Sequence, residues 1–306
     1  MPRRWPPKER TFASVIDAYM NSPKYQQLSQ STRRTYRRYL FLAAEPEGLG
    51  SVLLDEMRPA LVQAFLDGLV YLDEKGILKG LAAQNKALTV MKAVERFAVV
   101  RDLLPREITT GCEAPGSDGG HVPWTDDQVT LAEHFAARHL STAICMAANT
   151  GQRGSDLIRM RWTDIEEIDG RPGINVTQQK TGRKLWVPFT QALIKAMATW
   201  ERRPGFILTK PDGMPYGRRQ QLTDAWDKER ERHAELRLLT LHGLRGTAVV
   251  RLRRAGVTIA QICDVVGMSP QMVQHYCRFS DQKANALAAM ERLEGAQIVK
   301  LRNEIK

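Results

Sequence analysis

Hydrophobic positions recur at helical spacing through most of the chain. Phe12, Val15, Ile16 and Tyr19 share one face of residues 11–20, and Asn21-Ser22-Pro23 stops that segment. A second helix is predicted from Ser29 or Ser31 through Leu40. Two longer ones follow, over 59–72 with Leu61, Phe65, Leu69 and Leu72 on one face, and over 81–104 with Leu88, Met91, Val94, Phe97 and Ala98. Residues 1–105 therefore read as a small helical bundle. Residues 109–120, rich in Thr, Gly, Pro and Ser, have no apolar period, so a linker is expected over 106–122.

A second domain is expected over 123–283. Thr125 and Gln128 form a capping box for a helix to about residue 139, and 141–149 is apolar enough to be a buried helix that Gly151 ends. Another helix begins near Ser155. After Trp162 the pattern changes to alternation. Asp169-Gly170 reads as a hairpin turn, 173–178 as a strand, Lys180-Thr181-Gly182 as a second turn and 183–188 as a third strand. Helices resume over 190–202 and 217–233, with a turn at 210–215, then from Gly243 to about 254 and over 258–266 up to Gly267. Ser269 caps a further helix with Pro270 at its first position. Residues 284–305 repeat Leu287, Met290, Leu293, Ile298 and Leu301 at near-heptad spacing. The fold class is mainly α with a small antiparallel β-sheet.

Charge narrows the partner. The 306 residues carry 45 Lys and Arg against 34 Asp and Glu, a formal net charge of +11, which favours polyanions. Arg33, Arg34, Arg37 and Arg38 form one helical face with no acid interleaved; DNA contact accounts for that stripe better than a solvated surface does. No apolar run reaches the roughly 20 residues needed to cross a bilayer, and the start lacks the apolar core of a secretion signal, so no membrane and a cytoplasmic location are expected. Cys112, Cys145, Cys263 and Cys277 are too scattered for a zinc site or a disulfide framework, and His134 and His139, five apart, do not share a helical face.

Candidate chemistry gathers at Leu238-Leu239-Thr240-Leu241-His242-Gly243-Leu244-Arg245-Gly246-Thr247-Ala248. A histidine and an arginine three residues apart at a helix start aim at one place, and cations at that end of a helix dipole call for an anion in front of them. Thr150-Gly151-Gln152-Arg153-Gly154-Ser155-Asp156-Leu157 and the downstream Tyr276 ask for the same partner. Breaking a phosphodiester without a metal needs a nucleophile, an offset for charge on the non-bridging oxygens and an acid for the departing oxygen. A tyrosine whose pKa near 10 is brought down by adjacent cations suits the first role. Two arginines binding bidentately suit the second, and Lys180, at a hairpin tip, can give up a proton for the third.

These pieces together resemble the tyrosine recombinase (phage integrase) family. Its first box is similar to Arg153-Gly154-Ser155-Asp156-Leu157-Ile158-Arg159-Met160-Arg161-Trp162-Thr163-Asp164-Ile165, and its second to Thr240-Leu241-His242-Gly243-Leu244-Arg245-Gly246-Thr247. The resemblance implies a site-specific recombinase that integrates or excises a mobile element through a 3′-phosphotyrosyl intermediate, with no cofactor. It assigns Arg153, Arg245 and His242 to the scissile phosphate, Lys180 as general acid, Asp156 as a support and Tyr276 as nucleophile. It implies a SAM-like helical core-binding domain over 1–105, a catalytic domain over 123–283, and a C-terminal helix over 284–306 exchanged between protomers. The partners implied are double-stranded attachment sites, a homotetramer on DNA and an accessory directionality factor, in a bacterial or phage-encoded protein on the nucleoid. Met268 stands where the family has histidine or tryptophan, and His275 is a poor substitute because adjacent helical positions point roughly 100° apart. The rivals are a type IB topoisomerase-like relaxase and a catalytically inactive DNA-binding relic, for which Met268 is the best support.

Overall fold

The computed structural model describes residues 10–115, 120–280, 283, 286–287 and 289–294. The chain forms two compact units, Met1–Asp118 and Gly119–Lys306.

The first unit contains α1 (Phe12–Met20), α2 (Pro23–Gln26), α3 (Gln30–Ala44), α4 (Pro59–Asp67), a hairpin of β1 (Tyr71–Leu72) and β2 (Leu78–Lys79), and α5 (Leu81–Val99). Hydroxyl caps set the early boundaries: Ser22 accepts from the Tyr25 N–H and Ser29 from the Thr32 N–H. Phe12, Ile16, Tyr19, Leu40 and Met91 are fully buried between α1, α3 and α5. The helix expected over 59–72 is shorter. It ends at Asp67, and Tyr71 and Leu72 pair instead with Lys79 and Leu78. The Asp73 carboxylate builds that turn by accepting from the Lys75 and Ile77 N–H groups, and Gly80 at φ 92 makes the left-handed exit. The next helix stops at Val99 rather than near 104, and Asp102 follows at φ 52. Part of the stretch read as linker is folded onto this unit. Ile108 is fully buried, and Glu95 accepts from the Ile108 and Thr109 N–H groups.

The second unit opens with α6 (Asp126–Phe135), α7 (Arg138–Thr150) and α8 (Gly154–Leu157). A sheet of β3 (Ile165–Ile168), β4 (Arg171–Thr177) and β5 (Lys184–Pro188) comes next, then α9 (Gln191–Met197), α10 (Arg219–Arg230), α11 (Gly243–Arg254), α12 (Ile259–Val266) and α13 (Pro270–Cys277). The sheet is antiparallel in the order β3-β4-β5, with Ile174 opposite Val187, both fully buried. The helix expected from 125 to about 139 ends at Phe135, and the one expected over 141–149 begins earlier, at Arg138. Ala136 is extended, and the chain turns there into α7. The helices expected over 190–202 and 217–233 are likewise shorter, ending at Met197 and Arg230.

Two apolar clusters organise this unit. The larger holds Trp124, Ile144, Ile174, Leu193 and Trp226, with α7 packed on α6, α9 and α11. The smaller joins Val249 of α11 to Ile262 and Val266 of α12, Met268, and Val273 and Tyr276 of α13. Trp124 ties the start of the unit to α11, its N–H donating to the Thr247 hydroxyl at 2.8 Å and its indole N–H to the Thr240 carbonyl at 2.9 Å. Within the expected C-terminal helix, Leu287, Met290 and Leu293 are exposed, while Ile298 and Leu301 lie outside the described residues. Arg292 donates to the Ala255 and Gly256 carbonyls at 3.0 and 3.1 Å, where α11 ends. The four cysteines are unpaired, and no described helix is long and apolar enough to cross a membrane.

Candidate active site

α12 ends at Gly267, which takes the left-handed conformation at φ 62, and the last carbonyls of that helix are left without helical partners. Arg245, in the first turn of α11, fills the vacancy. Its Nη2 donates to the Val266 carbonyl at 3.0 Å and lies 3.5 Å from that of Gly267. The residue is only 3% exposed, and its Nη1, also buried, has no hydrogen-bond partner among the described residues. Burial, reinforced by the positive charge of Arg153, brings the Arg245 pKa down to about 10. A guanidinium half satisfied by carbonyls and half unpaired is poised for an anion, since an orphaned buried donor costs about 1–3 kcal/mol and more when charged.

Arg153 caps α8 after the left-handed Gly151. Its Nη1 donates to Gln178 Oε1 at 2.9 Å and sits 3.9 Å from the buried Asp156 carboxylate. Gln178 is wholly buried and joins three elements. Its Nε2 donates to Gln152 Oε1 at 2.9 Å and to the Val266 carbonyl at 3.1 Å, and its Oε1 also accepts from the Thr181 hydroxyl at 3.0 Å. Asp156 Oδ1 accepts the Gln179 N–H at 3.0 Å. Both arginines thus hang on one frame of the α12 end and the β4–β5 hairpin. Lys180 is at the exposed tip of that hairpin and makes no hydrogen bond or ion pair among the described residues.

His242, at the N-cap of α11, packs its ring edge-on against His121 at 4.6 Å. Burial first, then the charges of His121, Arg245, Arg219 and Arg153, lower its pKa to about 4. At neutral pH it is an uncharged imidazole able to take a proton. Tyr276 is 3% exposed, its ring lying on Gly246, where a Cβ would come within 2.7 Å of two ring carbons. Gly246 is therefore required by close approach. The Tyr276 pKa is raised, because burial outweighs the opposing charge of Arg245. That overturns the expectation that adjacent cations alone bring it down. Met268 is 6% exposed within the apolar cluster around Tyr276, and His275 touches Tyr276 edge-on at 5.3 Å with its Nε2 3.3 Å from Arg278.

Arg153, Asp156, His242, Arg245 and Tyr276 are thus brought together, while Lys180 stands apart on its hairpin. Sequence reasoning missed Gln178, His121 and Arg219. None belongs to a motif, and only the inward alternation at Ile174, Val176 and, one residue past the end of β4, Gln178 could have marked the glutamine. On α3, Arg34, Arg37 and Arg38 are exposed and Arg33 is half-buried with a bond to Gln26. Arg37 lies over Phe41 and Arg38 over Tyr39, and none of the four makes an ion pair among the described residues.

Residues 125–283 match the model of the phage integrase family. The integrase of Enterobacteria phage 434 is 28% identical over 184 residues, covering 59% of this chain and 48% of that protein. The integrase of Escherichia phage lambda is 28% identical over 182 residues, at 58% and 48% coverage. The chain spans about half the length of these curated relatives. Among solved structures, a lambda integrase(75-356) dimer bound to a COC′ core site superposes with a TM-score of 0.69 at 20% identity, over 87% of this chain and 95% of that one. The Tn1549 transposon integrase in complex with transposon right end DNA gives 0.67 at 18% identity, over 93% and 99%.

Proposed function

Because the chain belongs to the phage integrase family, we propose that it is a site-specific tyrosine recombinase, which cuts and rejoins DNA strands at the attachment sites of a mobile element. The observation that carries this reading is the buried, unpartnered Nη1 of Arg245 in a cluster with Arg153, His242 and Tyr276.

The Arg153 and Arg245 guanidiniums offset the charge of the non-bridging phosphate oxygens. The Tyr276 oxygen attacks phosphorus while its proton passes to the neutral His242. The bond to the 5′ oxygen breaks, and Lys180 supplies the proton that this oxygen needs. A 3′-phosphotyrosyl bond results, and attack by a 5′ hydroxyl reverses each step. Burial favours the protonated phenol. Tyr276 then ionises only as the bond to phosphorus forms, which protects the free protein from a costly buried phenolate.

Gln178 sets the angle of Arg153, and Asp156 braces both that arginine and the hairpin strand leading to Lys180. The exposed tip lets Lys180 reach a DNA strand once one is bound. The arginine face of α3 adds phosphate contacts from a helical DNA-binding domain. The working assembly is a tetramer on two duplexes, in line with a lambda integrase tetramer bound to a Holliday junction. The exposed Leu287, Met290 and Leu293 seam meets a neighbouring protomer in that assembly, and a directionality factor biases the outcome on the nucleoid of the host. Incubation with a nicked suicide duplex bearing the element's end tests the core of the reading. A covalent protein–DNA adduct resistant to denaturant is the expected result, and its absence would leave a DNA-binding relic.

A further inference from the structure

Arg219, the first residue of α10, takes no part in the chemistry proposed above, and its guanidinium makes no hydrogen bond or ion pair among the described residues. Its stem crosses the turn that carries Arg153: a Cβ built on Gly154 would meet Arg219 Cγ at 3.1 Å and Cδ at 3.4 Å. Arg219, His121, Thr240 and His242 line one cavity of about 200 Å³. The carboxylate on that wall, Asp227, is already engaged by Arg230 at 2.9 Å. His121 Nδ1 is 2.7 Å from the Thr240 hydroxyl, and its Nε2 has no partner among the described residues. With Thr240 donating to Nδ1, the ring proton sits on Nε2, free to be given to an acceptor.

We propose that Arg219 and His121 form a second phosphate subsite, which takes a phosphodiester adjoining the scissile one on the same strand. This rests on the reading that the scissile phosphate lies at Arg153 and Arg245. His242 belongs to both places: it lines the Arg219 cavity and lies in the electrostatic reach of Arg153 and Arg245. A duplex that seats one phosphate at Arg245 brings its neighbours along, because each strand carries a charge every ~3.4 Å of helix axis. The cavity wall answers that charge with an unpaired fork and a neutral N–H donor. The subsite also explains the position of His121: its ring is wedged between Thr240 and His242, so a phosphate held there fixes the orientation of the histidine that receives the Tyr276 proton.

The test measures affinity of the full chain for an arbitrary duplex across a range of salt concentrations. Replacing Arg219 by glutamine should flatten the slope of log affinity against log salt by about one, Arg219→Lys should restore it, and His121→Gln should weaken binding about tenfold at an unchanged slope. An unchanged slope in Arg219→Gln overturns the subsite, as does a loss of slope in Arg219→Lys with no change in thermal midpoint. Since binding is read without cleavage, a chain that binds but forms no adduct on a nicked suicide duplex bearing the element's end sinks the recombinase reading and still reports on Arg219; a chain that binds no duplex sinks both. Once the cleavage position is mapped, a methylphosphonate at the adjoining phosphate should weaken the wild type and add nothing in Arg219→Gln. Equal losses in both proteins would overturn the pairing.

Discussion

The molecule carries cations in two contrasting ways. On α3, Arg34, Arg37 and Arg38 lie on an exposed face, and the last two rest against the rings of Phe41 and Tyr39. At the start of α11 the single Arg245 is 3% exposed, fixed by the end of α12, and so confined that its pKa falls to about 10. An exposed stripe contributes affinity that salt screens, because each contact exchanges a counterion for a side chain. A buried guanidinium contributes little to loose attraction. It offers a preorganised partner for one charge at one place, which is where electrostatic stabilisation of a reacting group is strongest. On the proposed reading, the two regions divide encounter from chemistry.

The sharpest way to break that division is at the proposed nucleophile. Tyr276→Phe removes only the attacking oxygen, so duplex binding should match the wild type while adduct formation on a suicide substrate disappears. An adduct that survived would move the nucleophile elsewhere. Next in size is Arg245→Lys. A lysine lacks the rigid fork that sets one nitrogen on the Val266 carbonyl and leaves the other for a phosphate, and cleavage should fall by about 10²–10³-fold. Salt dependence of binding should scarcely change, and a large change there would erase the contrast between the two regions.

The exposed side of the comparison predicts the converse. Arg34→Gln or Arg38→Gln should flatten the salt slope by about one for each phosphate released, yet leave cleavage at saturating DNA unaltered. If the slope does not move, the stripe is a solvated surface.

How much of this was legible in the sequence varied with the kind of signal. Caps and glycines mark α12 and the start of α13 within a residue, since Thr258, Gly267, Ser269 and Pro270 each satisfy or stop a helix end locally. The β1–β2 hairpin was illegible because Leu69 and Leu72 continue a helical period that Asp67 ends, and the turn depends on the side chain of Asp73. The motif residues of the site were legible as types. Gln178, His121 and Arg219 were not, because a glutamine hub or an unpaired arginine is defined by neighbours 25 to 120 positions away, such as Arg153 and Thr240. The direction of the Tyr276 pKa was misjudged for the same reason: adjacent charge can be read from a motif, and burial cannot.

Burial of charge also predicts a pH dependence confined to the second region. His242 has a folded-state pKa near 4 against 6.5 in the unfolded chain, so the unfolded state binds the extra proton more readily. Its contribution is fully present above pH 6.5 and is lost as pH falls towards 4. At about 1.4 kcal/mol per pH unit over that interval, the loss is bounded at about 3–4 kcal/mol, and partial solvation reduces it. Denaturant midpoints of wild type and His242→Gln, compared at pH 7 and pH 4.5, should converge at the lower pH. Parallel curves would mean that the imidazole is not held neutral by its surroundings.

The smallest effect is expected at Met268. Its side chain packs with Val266, Val273 and Tyr276, and a thioether there has no proton to donate. It therefore serves the active site by supporting α13 from below, not by touching a phosphate. Leucine keeps that volume and polarity, so Met268→Leu should cost under ~1.5 kcal/mol in stability and leave the adduct rate nearly unchanged. Met268→His asks more, since an imidazole buried among apolar groups needs an acceptor; a bound phosphate supplies one, and cleavage should be retained or faster. His275 is the neighbour that could hold the donor role instead, with its ring against Tyr276 and its Nε2 near Arg278. Its place beside the nucleophile, one residue earlier on the same helix, turns it away from what Tyr276 faces. His275→Ala should accordingly matter little. A dead His275→Ala beside a fully active Met268→Leu would give His275 the phosphate.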